Sequence, residues 1–174
     1  IKIAIAFGIL VSTALLMKKK DMSYRQSILK TLYPMIMWSS HSSGAKQVLS
    51  NSKLSTAPIS FYTLHAKAID GSDIDFAAFK GKKIMIVNTA SDCGFTGQYE
   101  ALEKLHQQYK DDLVVLGFPA NDFKEQESKD NQNIAAFCKK NYGVTFPLME
   151  KSIVIKKSHQ NEVHQWLSDM NLNG

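Results

Sequence analysis

The sequence predicts an α/β domain built on a mainly parallel sheet, because buried-strand patterns alternate with helical patterns along most of the chain. Ile84 to Val87 and Leu113 to Phe118 are continuous apolar runs, as expected for strands buried on both faces. Apolar residues at helical spacing follow over 98–110, 131–140 and 159–170. With 44% hydrophobic and 21% charged residues, the composition is that of a globular protein and excludes a disordered or multi-span membrane protein.

The first 20 residues form a separate hydrophobic segment. Ile3 to Met17 is an uncharged apolar run, and three lysines at 18–20 follow it at once. As a helix, this run would reach roughly 22 Å, whereas a bilayer core is about 30 Å thick. The lysines occupy the place where a secretory signal carries its small-residue cleavage site. We therefore expect residues 1–20 to be an uncleaved membrane anchor or signal-like segment, and the alternative is that synthesis starts at Met17 or Met22.

Residues 21–59 are expected to form an amphipathic helix followed by a linker. Ile28 and Leu32 recur at helical spacing, and Pro34 is expected to kink or end the helix. Such a helix suits a membrane interface or packing on the main domain, and spacing alone does not separate the two. Residues 39–59 lose periodicity and are rich in Ser, Asn, Gly and Pro, which indicates a linker.

The positive net charge of the chain, +5, comes from its N-terminal part. Residues 1–60 carry eight basic residues against one acidic residue, whereas residues 61–174 carry 13 basic against 15 acidic. Basic residues beside an apolar segment favour a membrane surface over a nucleic acid, so we expect no nucleic-acid partner. The two cysteines, Cys93 and Cys138, exclude a disulfide scaffold and a cysteine-rich zinc site, and the histidines show no metal-ligand grouping.

Cys93 is the candidate nucleophile. It lies in the run NTASDCGFT, after the first buried strand and just before or at the first turn of the following helix. Backbone N–H groups and the helix dipole at such a position stabilise a thiolate, and open α/β sheets bind ligands at this edge. The competing interpretation is a cysteine that packs as a small hydrophobic residue. A Cys-x-x-Cys disulfide reductase or metallochaperone is disfavoured because Thr96 occupies the second cysteine position.

Three segments in order, VNTASDCGFTGQYEALEKLHQQY, LGFPANDFKEQE and FCKKNYGVTFPLMEK, resemble the glutathione peroxidase family in its cysteine-containing bacterial form. The resemblance runs from about Phe61 to Gly174. It implies that residues 60–174 adopt a thioredoxin-like fold and reduce hydrogen peroxide or organic hydroperoxides in defence against oxidative stress. It further implies no bound cofactor, and thioredoxin or glutathione as the thiol co-substrate. The expected location is at a membrane, through the N-terminal segment, or in the cytoplasm of a bacterium.

The resemblance also implies roles for individual residues. Cys93 matches the peroxidatic cysteine, and Gln126 matches the glutamine of the active-site tetrad, although Lys124 stands where the family has glycine. Cys138 is a candidate resolving cysteine, and the competing interpretation is an inward helix cysteine that packs. Independently of the resemblance, Asn121 follows a strand end and is a candidate pocket residue, with a turn-capping role as the alternative.

The remaining tetrad members, a tryptophan and an asparagine in a Trp-Asn-Phe motif, should follow the last helix. The sequence instead ends at Gly174, so we expect the family fold to lack its last strands and helix here. Trp166 precedes the expected motif and is interpreted as a packing residue. The missing pair supports one alternative function, a non-enzymatic thiol redox sensor or a degenerate thioredoxin-fold binding module.

Overall fold

The computed structural model describes residues 24–41 and 56–174. The predicted anchor at 1–20 and residues 42–55 of the predicted linker lie outside the described residues. Within the described ranges, no helix combines the length and the apolar content needed to cross a bilayer. The helices and strands follow in chain order: α1 (Tyr24–His41), β1 (His65–Lys67), β2 (Asp73–Asp75), β3 (Lys83–Thr89), α2 (Gln98–Gln108), β4 (Leu113–Pro119), α3 (Asn131–Tyr142), α4 (Glu162–Ser168) and α5 (Met170–Asn173).

The two long strands, β3 and β4, form a parallel pair, so the α/β prediction for the domain is confirmed. Their register runs from Lys83 opposite Leu113 to Thr89 opposite Pro119. Parallel neighbours need a crossover connection, which α2 supplies. Because the strands are parallel, their carboxyl ends lie at the same edge of the sheet, and the loops that leave them become neighbours.

Alternate residues of β4 point into two apolar clusters on opposite faces of the sheet, as the two-residue period of a strand requires. Val115 packs with residues of α2, α3 and the 144–148 segment. Leu116 and Phe118 pack on the other side with the 3₁₀ helix at 76–79 and with α4. The strand is therefore buried on both faces, as its continuous apolar run predicts.

The N-terminal part of the domain is a short hairpin. Strands β1 and β2 pair antiparallel, with His65 opposite Asp75, and the Asp70-Gly71 turn lies between them. Ahead of β1, Phe61–Thr63 forms a 3₁₀ helix. The side chain of Ser60 accepts a hydrogen bond from the Tyr62 N–H and so caps this helix.

The first helix, α1, packs on the domain, which is one of the two roles that its sequence allowed. Gln26 and Ser27 are buried, whereas the apolar residues Ile28 and Met35 are 39% and 59% exposed. Of the two outcomes expected at Pro34, a kink or an end of the helix, the end is contradicted, since α1 continues to His41. An interior proline costs about 3 kcal/mol of helix stability, and contacts between the domain and the first part of α1 offset some of that cost.

Trp166 is a packing residue, as predicted. Its indole N–H donates a hydrogen bond to the Ile59 carbonyl at 2.8 Å. Its ring packs edge-on against that of Phe61, with 5.4 Å between the two ring centroids. The helix that carries it is shorter than the predicted 159–170, because the Asn161 side chain accepts the Val163 N–H and caps the start of α4.

Gly117 allows the 147–149 segment to pair with β4 in the parallel direction at close range. The Gly117 N–H donates to the Pro147 carbonyl at 2.9 Å, and the Gly117 carbonyl accepts the Met149 N–H at 2.8 Å. A Cβ at position 117 would lie 2.6 Å from Cδ2 of Leu148 and 3.1 Å from Cε2 of Phe146. Only a residue without a side chain fits here without displacing the core.

We predict that Gly117→Ala lowers the free energy of unfolding by about 1–3 kcal/mol, the usual cost of overpacking a filled core. Urea unfolding of the variant and the parent chain measures this difference. A loss below about 0.5 kcal/mol, the usual effect of a surface substitution, would show that the 146–149 segment is not packed against β4 as described.

Candidate functional site

Cys93 lies in the loop of residues 90–97, here called the Cys93 turn, which joins the carboxyl end of β3 to α2. Its thiol is free and the residue is half-buried. The N–H of Phe95 faces the sulfur at an N···Sγ distance of 3.5 Å. Sequence reasoning placed the cysteine near the first turn of a helix, but α2 begins only at Gln98. The backbone donor that faces the sulfur therefore belongs to the turn rather than to the terminus of α2.

A small cavity of about 60 Å³ borders the thiol of Cys93. A water molecule needs roughly 10–15 Å³ of such space, so the –O–O–H group of a hydroperoxide fits. The cavity is lined by Val87, Asn88, Thr89, Ala90, Cys93, Phe95, Thr96, Gln98, Tyr99 and Leu102. Sequence reasoning did not identify Tyr99 as part of this site, because its position on α2 is indistinguishable from an ordinary core position.

A buried carboxylate, Glu127, holds the residues that precede Cys93. Its two oxygens accept the Ser91 N–H at 2.7 Å and the Ser91 hydroxyl at 2.6 Å. The Lys129 ammonium donates to the Ser91 hydroxyl oxygen at 2.9 Å and pairs with the Asp92 carboxylate at 3.1 Å. Sequence reasoning missed Glu127 because burial of a carboxylate depends on partners that are distant in the chain.

Burial of Glu127 raises the pKa of its carboxyl group above the ordinary value. The two hydrogen bonds from Ser91 and the charge of Lys129 favour the ionised form and oppose this shift, and Asp92 adds to it. The direction of the shift shows that desolvation outweighs the hydrogen bonds. The network thus fixes the Cys93 turn at an electrostatic cost.

The structure brings the backbone of Gln126 to the Cys93 turn. The Asp92 N–H donates to the Gln126 carbonyl at 2.9 Å, but the Gln126 side chain is not among the residues that line the cavity. The two preceding residues, Lys124 and Glu125, have φ angles of 56° and 53°. This left-handed conformation costs a non-glycine residue roughly 1–2 kcal/mol, which gives a physical reason for the glycine that the family carries at position 124.

Asn121 lies apart from the Cys93 cavity. Its side-chain oxygen accepts the Glu127 N–H at 2.8 Å and closes the 121–127 loop. It lines a different cavity, together with Asp122 and Lys151 among others. The structure therefore gives Asn121 a contact of the turn-capping type and does not bring it together with Cys93.

Cys138 is fully buried in α3, in the apolar cluster that contains Phe137 and Tyr142. Burial raises the pKa of its thiol to about 12, with the nearby Tyr99 hydroxyl acting in the opposite direction. Cys138 is therefore a neutral thiol at ordinary pH. The two cysteines are not bonded in this structure, and Tyr99 contributes both to the Cys93 cavity and to the cluster around Cys138.

Residues 61–168 match the family model described as glutathione peroxidase. The glutathione peroxidase-like peroxiredoxin gpx1 of Schizosaccharomyces pombe is 49% identical over 108 residues, which are 62% of this chain and 68% of that protein. The hydroperoxy fatty acid reductase gpx1 of Synechocystis is 50% identical over 91 residues, 52% of this chain and 54% of that protein. The apo crystal structure of Trgpx is 35% identical with a TM-score of 0.48, and the match covers 64% of this chain and 65% of that one.

The chain thus spans between about half and two thirds of the length of the relatives that it matches. The family match, together with the parallel β3–β4 pair and its α2 crossover, confirms the predicted thioredoxin-like α/β fold.

We predict that Glu127→Ala lowers the free energy of unfolding by about 1–3 kcal/mol, because it leaves the buried Ser91 N–H without an acceptor. Glu127→Gln should cost less, since the amide oxygen can accept that N–H and the amide nitrogen can donate to the Ser91 hydroxyl. Chemical denaturation measures both values. Equal losses for Ala and Gln would contradict the hydrogen-bonding role.

The raised pKa of Glu127 also predicts a pH dependence. The folded state holds this proton more tightly than the unfolded state, where the pKa is about 4.5. The stability of the parent chain relative to Glu127→Gln should therefore fall as the pH rises from about 4.5 through the raised value, and stay constant above it. Denaturation over this pH range measures the difference. A difference that grows with pH would contradict the prediction.

Proposed function

The chain belongs to the glutathione peroxidase family, and from this we propose that it is a thiol-dependent peroxidase that reduces hydrogen peroxide or organic hydroperoxides through Cys93. The observation that carries the proposal is the position of the Cys93 thiol. It is half-buried, faces a backbone N–H donor and borders a cavity large enough for a peroxide group. The names of the two relatives, a peroxiredoxin and a hydroperoxy fatty acid reductase, agree with this activity.

The proposed reaction needs only the Cys93 sulfur, the hydroperoxide and two thiols. The Cys93 thiolate attacks one peroxide oxygen, an S–O bond forms as the O–O bond breaks, and the other oxygen takes up a proton and leaves as water or an alcohol. The resulting sulfenic acid condenses with a thiol to give a disulfide and water. A second thiol reduces this disulfide and restores Cys93.

We propose thioredoxin or glutathione as the source of these thiols, and no metal or organic cofactor. If Cys138 is the resolving cysteine, its thiol is the one that condenses with the sulfenic acid. Thioredoxin is then the better reductant of the resulting disulfide. Attachment to a membrane through residues 1–20, or a cytoplasmic location, remains a proposal from the sequence. The alternative function, a thiol redox sensor or binding module, is not favoured by the relatives.

The proposed role of Gln126 is to polarise the reacting atoms. A neutral amide can donate hydrogen bonds to a thiolate or to the leaving oxygen without adding a charge. The support for this role is the hydrogen bond between the Gln126 backbone and Asp92, because it keeps the 121–127 loop next to the Cys93 turn. The Gln126 side chain does not line the cavity in this structure.

We predict that Cys93→Ser abolishes peroxide reduction and leaves the fold intact. The hydroxyl keeps the volume of the thiol and can accept the Phe95 N–H, but it does not ionise near neutral pH. Peroxide consumption with dithiothreitol and trapping of sulfenic acid by dimedone measure the loss. Consumption at the parent rate by the variant would end the peroxidase assignment.

For Gln126→Ala we predict a loss of roughly tenfold or more in the second-order rate constant of sulfenic acid formation, as for removal of one polarising donor. Stopped-flow measurement with hydrogen peroxide gives this constant. The matched control is Gln132→Ala, an exposed glutamine on α3 that contacts neither the cavity nor the Cys93 turn. If both variants react at the parent rate, the role of Gln126 is refuted.

If Cys138 resolves Cys93, peroxide should produce a Cys93–Cys138 disulfide in the parent chain. Its formation requires part of α3 to unwind, because Cys138 is now a buried thiol with a pKa of about 12 and disulfide-bonded Cα atoms lie within about 7 Å of each other. Mass spectrometry of the peroxide-treated chain identifies the bond, and thioredoxin should reduce it faster than glutathione does. Over-oxidised Cys93 beside a free Cys138 thiol would assign Cys138 to packing.

A further inference from the structure

Helix α1 contacts the Cys93 turn although it lies outside the residues matched by the family model. The amide nitrogen of Gln26 donates to the Ser91 carbonyl at 2.9 Å and to the Asp92 carboxylate at 2.6 Å. Gln26 is only 2% exposed. A residue from the N-terminal segment therefore bonds to both residues that directly precede Cys93.

The same face of α1 packs on the two glycines of the turn. A Cβ at Gly97 would lie 2.5 Å from Cγ and Cδ1 of the Tyr33 ring, and a Cβ at Gly94 would lie 3.6 Å from Cδ2 of Leu29. Gln26, Leu29 and Tyr33 are three and four residues apart, so they share one face of the helix. The contact thus extends along the whole turn from Ser91 to Gly97.

The helix does not cover the reactive side of the turn. Among the residues that the structure describes, those lining the cavity beside Cys93 lie between 87 and 102, and the described side chains of α1 are not part of the lining. Ser91 and Asp92 are at the same time bonded from the domain side by Glu127 and Lys129. The residues before Cys93 are therefore held from two sides, and the cavity remains open to a substrate.

We propose that Gln26 is a positioning residue for the reaction of Cys93, and that α1 acts as a supporting helix for the Cys93 turn. This inference rests on the proposed peroxidase function. By fixing Ser91 and Asp92, the helix keeps the Phe95 N–H directed at the Cys93 sulfur. A turn without this support spends less time in that geometry, so the thiolate is less stabilised and reacts more slowly.

The first experiment removes the hydrogen bonds of Gln26 in the full chain. Gln26→Ala should lower the rate constant of sulfenic acid formation roughly 3- to 10-fold, because the turn loses the hydrogen bonds to the Ser91 carbonyl and the Asp92 carboxylate but keeps those from Glu127 and Lys129. Gln26→Glu should lower it further, since it places an acceptor against the Ser91 carbonyl and the Asp92 carboxylate. The control is Met35→Ala, on the exposed side of α1, which should react like the parent. Parent rates for both Gln26 variants would overturn the proposal.

The second experiment displaces the helix by a clash. Gly97 has φ −58° and ψ −20°, so alanine is allowed by the backbone, but its Cβ would overlap the Tyr33 ring. Gly97→Ala should slow the reaction by a similar factor, and adding Tyr33→Ala should restore part of the rate. The absence of any rescue in the double variant would show that the loss at Gly97 arises within the turn and would contradict the supporting role.

Alkylation of Cys93 by iodoacetamide, measured as a function of pH, separates this inference from the proposed function. It reports the thiolate and does not require peroxidase activity. The Gln26 variants should shift the alkylation profile to higher pH, an effect that a loss of stability alone does not produce. A shifted profile in a chain whose parent form does not reduce peroxide would keep the positioning role and refute the peroxidase. If the parent chain reduces peroxide but the Gln26 variants have an unchanged alkylation profile, the peroxidase function is kept and the positioning role is refuted.

Discussion

The paired hydrogen bonds between the buried Glu127 carboxylate and Ser91 are the interaction on which the rest of the site depends. They join the loop after β4 to the loop after β3, and both residues are completely buried. In such surroundings a carboxylate is tolerated only when its oxygens are satisfied, and its geometry is correspondingly strict. The position of Cys93, two residues beyond Ser91, follows from this link, as does that of Gln126, whose carbonyl accepts the Asp92 N–H.

The parallel β3–β4 pair makes this link possible. Thr89 and Pro119 are opposite each other at the carboxyl ends of the two strands, and the Ala120 N–H donates to the Thr89 carbonyl at 3.0 Å. Two loops whose starting points are 30 positions apart in sequence therefore begin close together in space. The Cys93 turn and the loop that carries Gln126 can then be aligned by a few hydrogen bonds rather than by a separate element.

The sequence was sufficient for the parts of the molecule that depend on local pattern. Apolar runs located β3 and β4, and the end of β3 located the loop with Cys93. The contacts that hold this loop were beyond such reasoning. Glu127 and Gln26 are polar residues whose burial depends on distant partners, a donor 36 positions from Glu127 and an acceptor 65 positions from Gln26. On α1 the apolar residue Ile28 is partly exposed while Gln26 is buried, so the hydrophobic pattern pointed to the wrong face.

The different surroundings of the two cysteines make them chemically unequal. Cys93 lies in a turn fixed by polar contacts, where a backbone N–H can stabilise its negative charge. Cys138 lies in a helix fixed by apolar packing, where burial raises the pKa of its thiol to about 12. If Cys138 is the resolving cysteine, α3 must first loosen, because only an exposed thiol can ionise and attack an oxidised Cys93. Tyr99 borders both the Cys93 cavity and the packing around Cys138, so loosening of the packing around Cys138 also alters the lining of the Cys93 cavity.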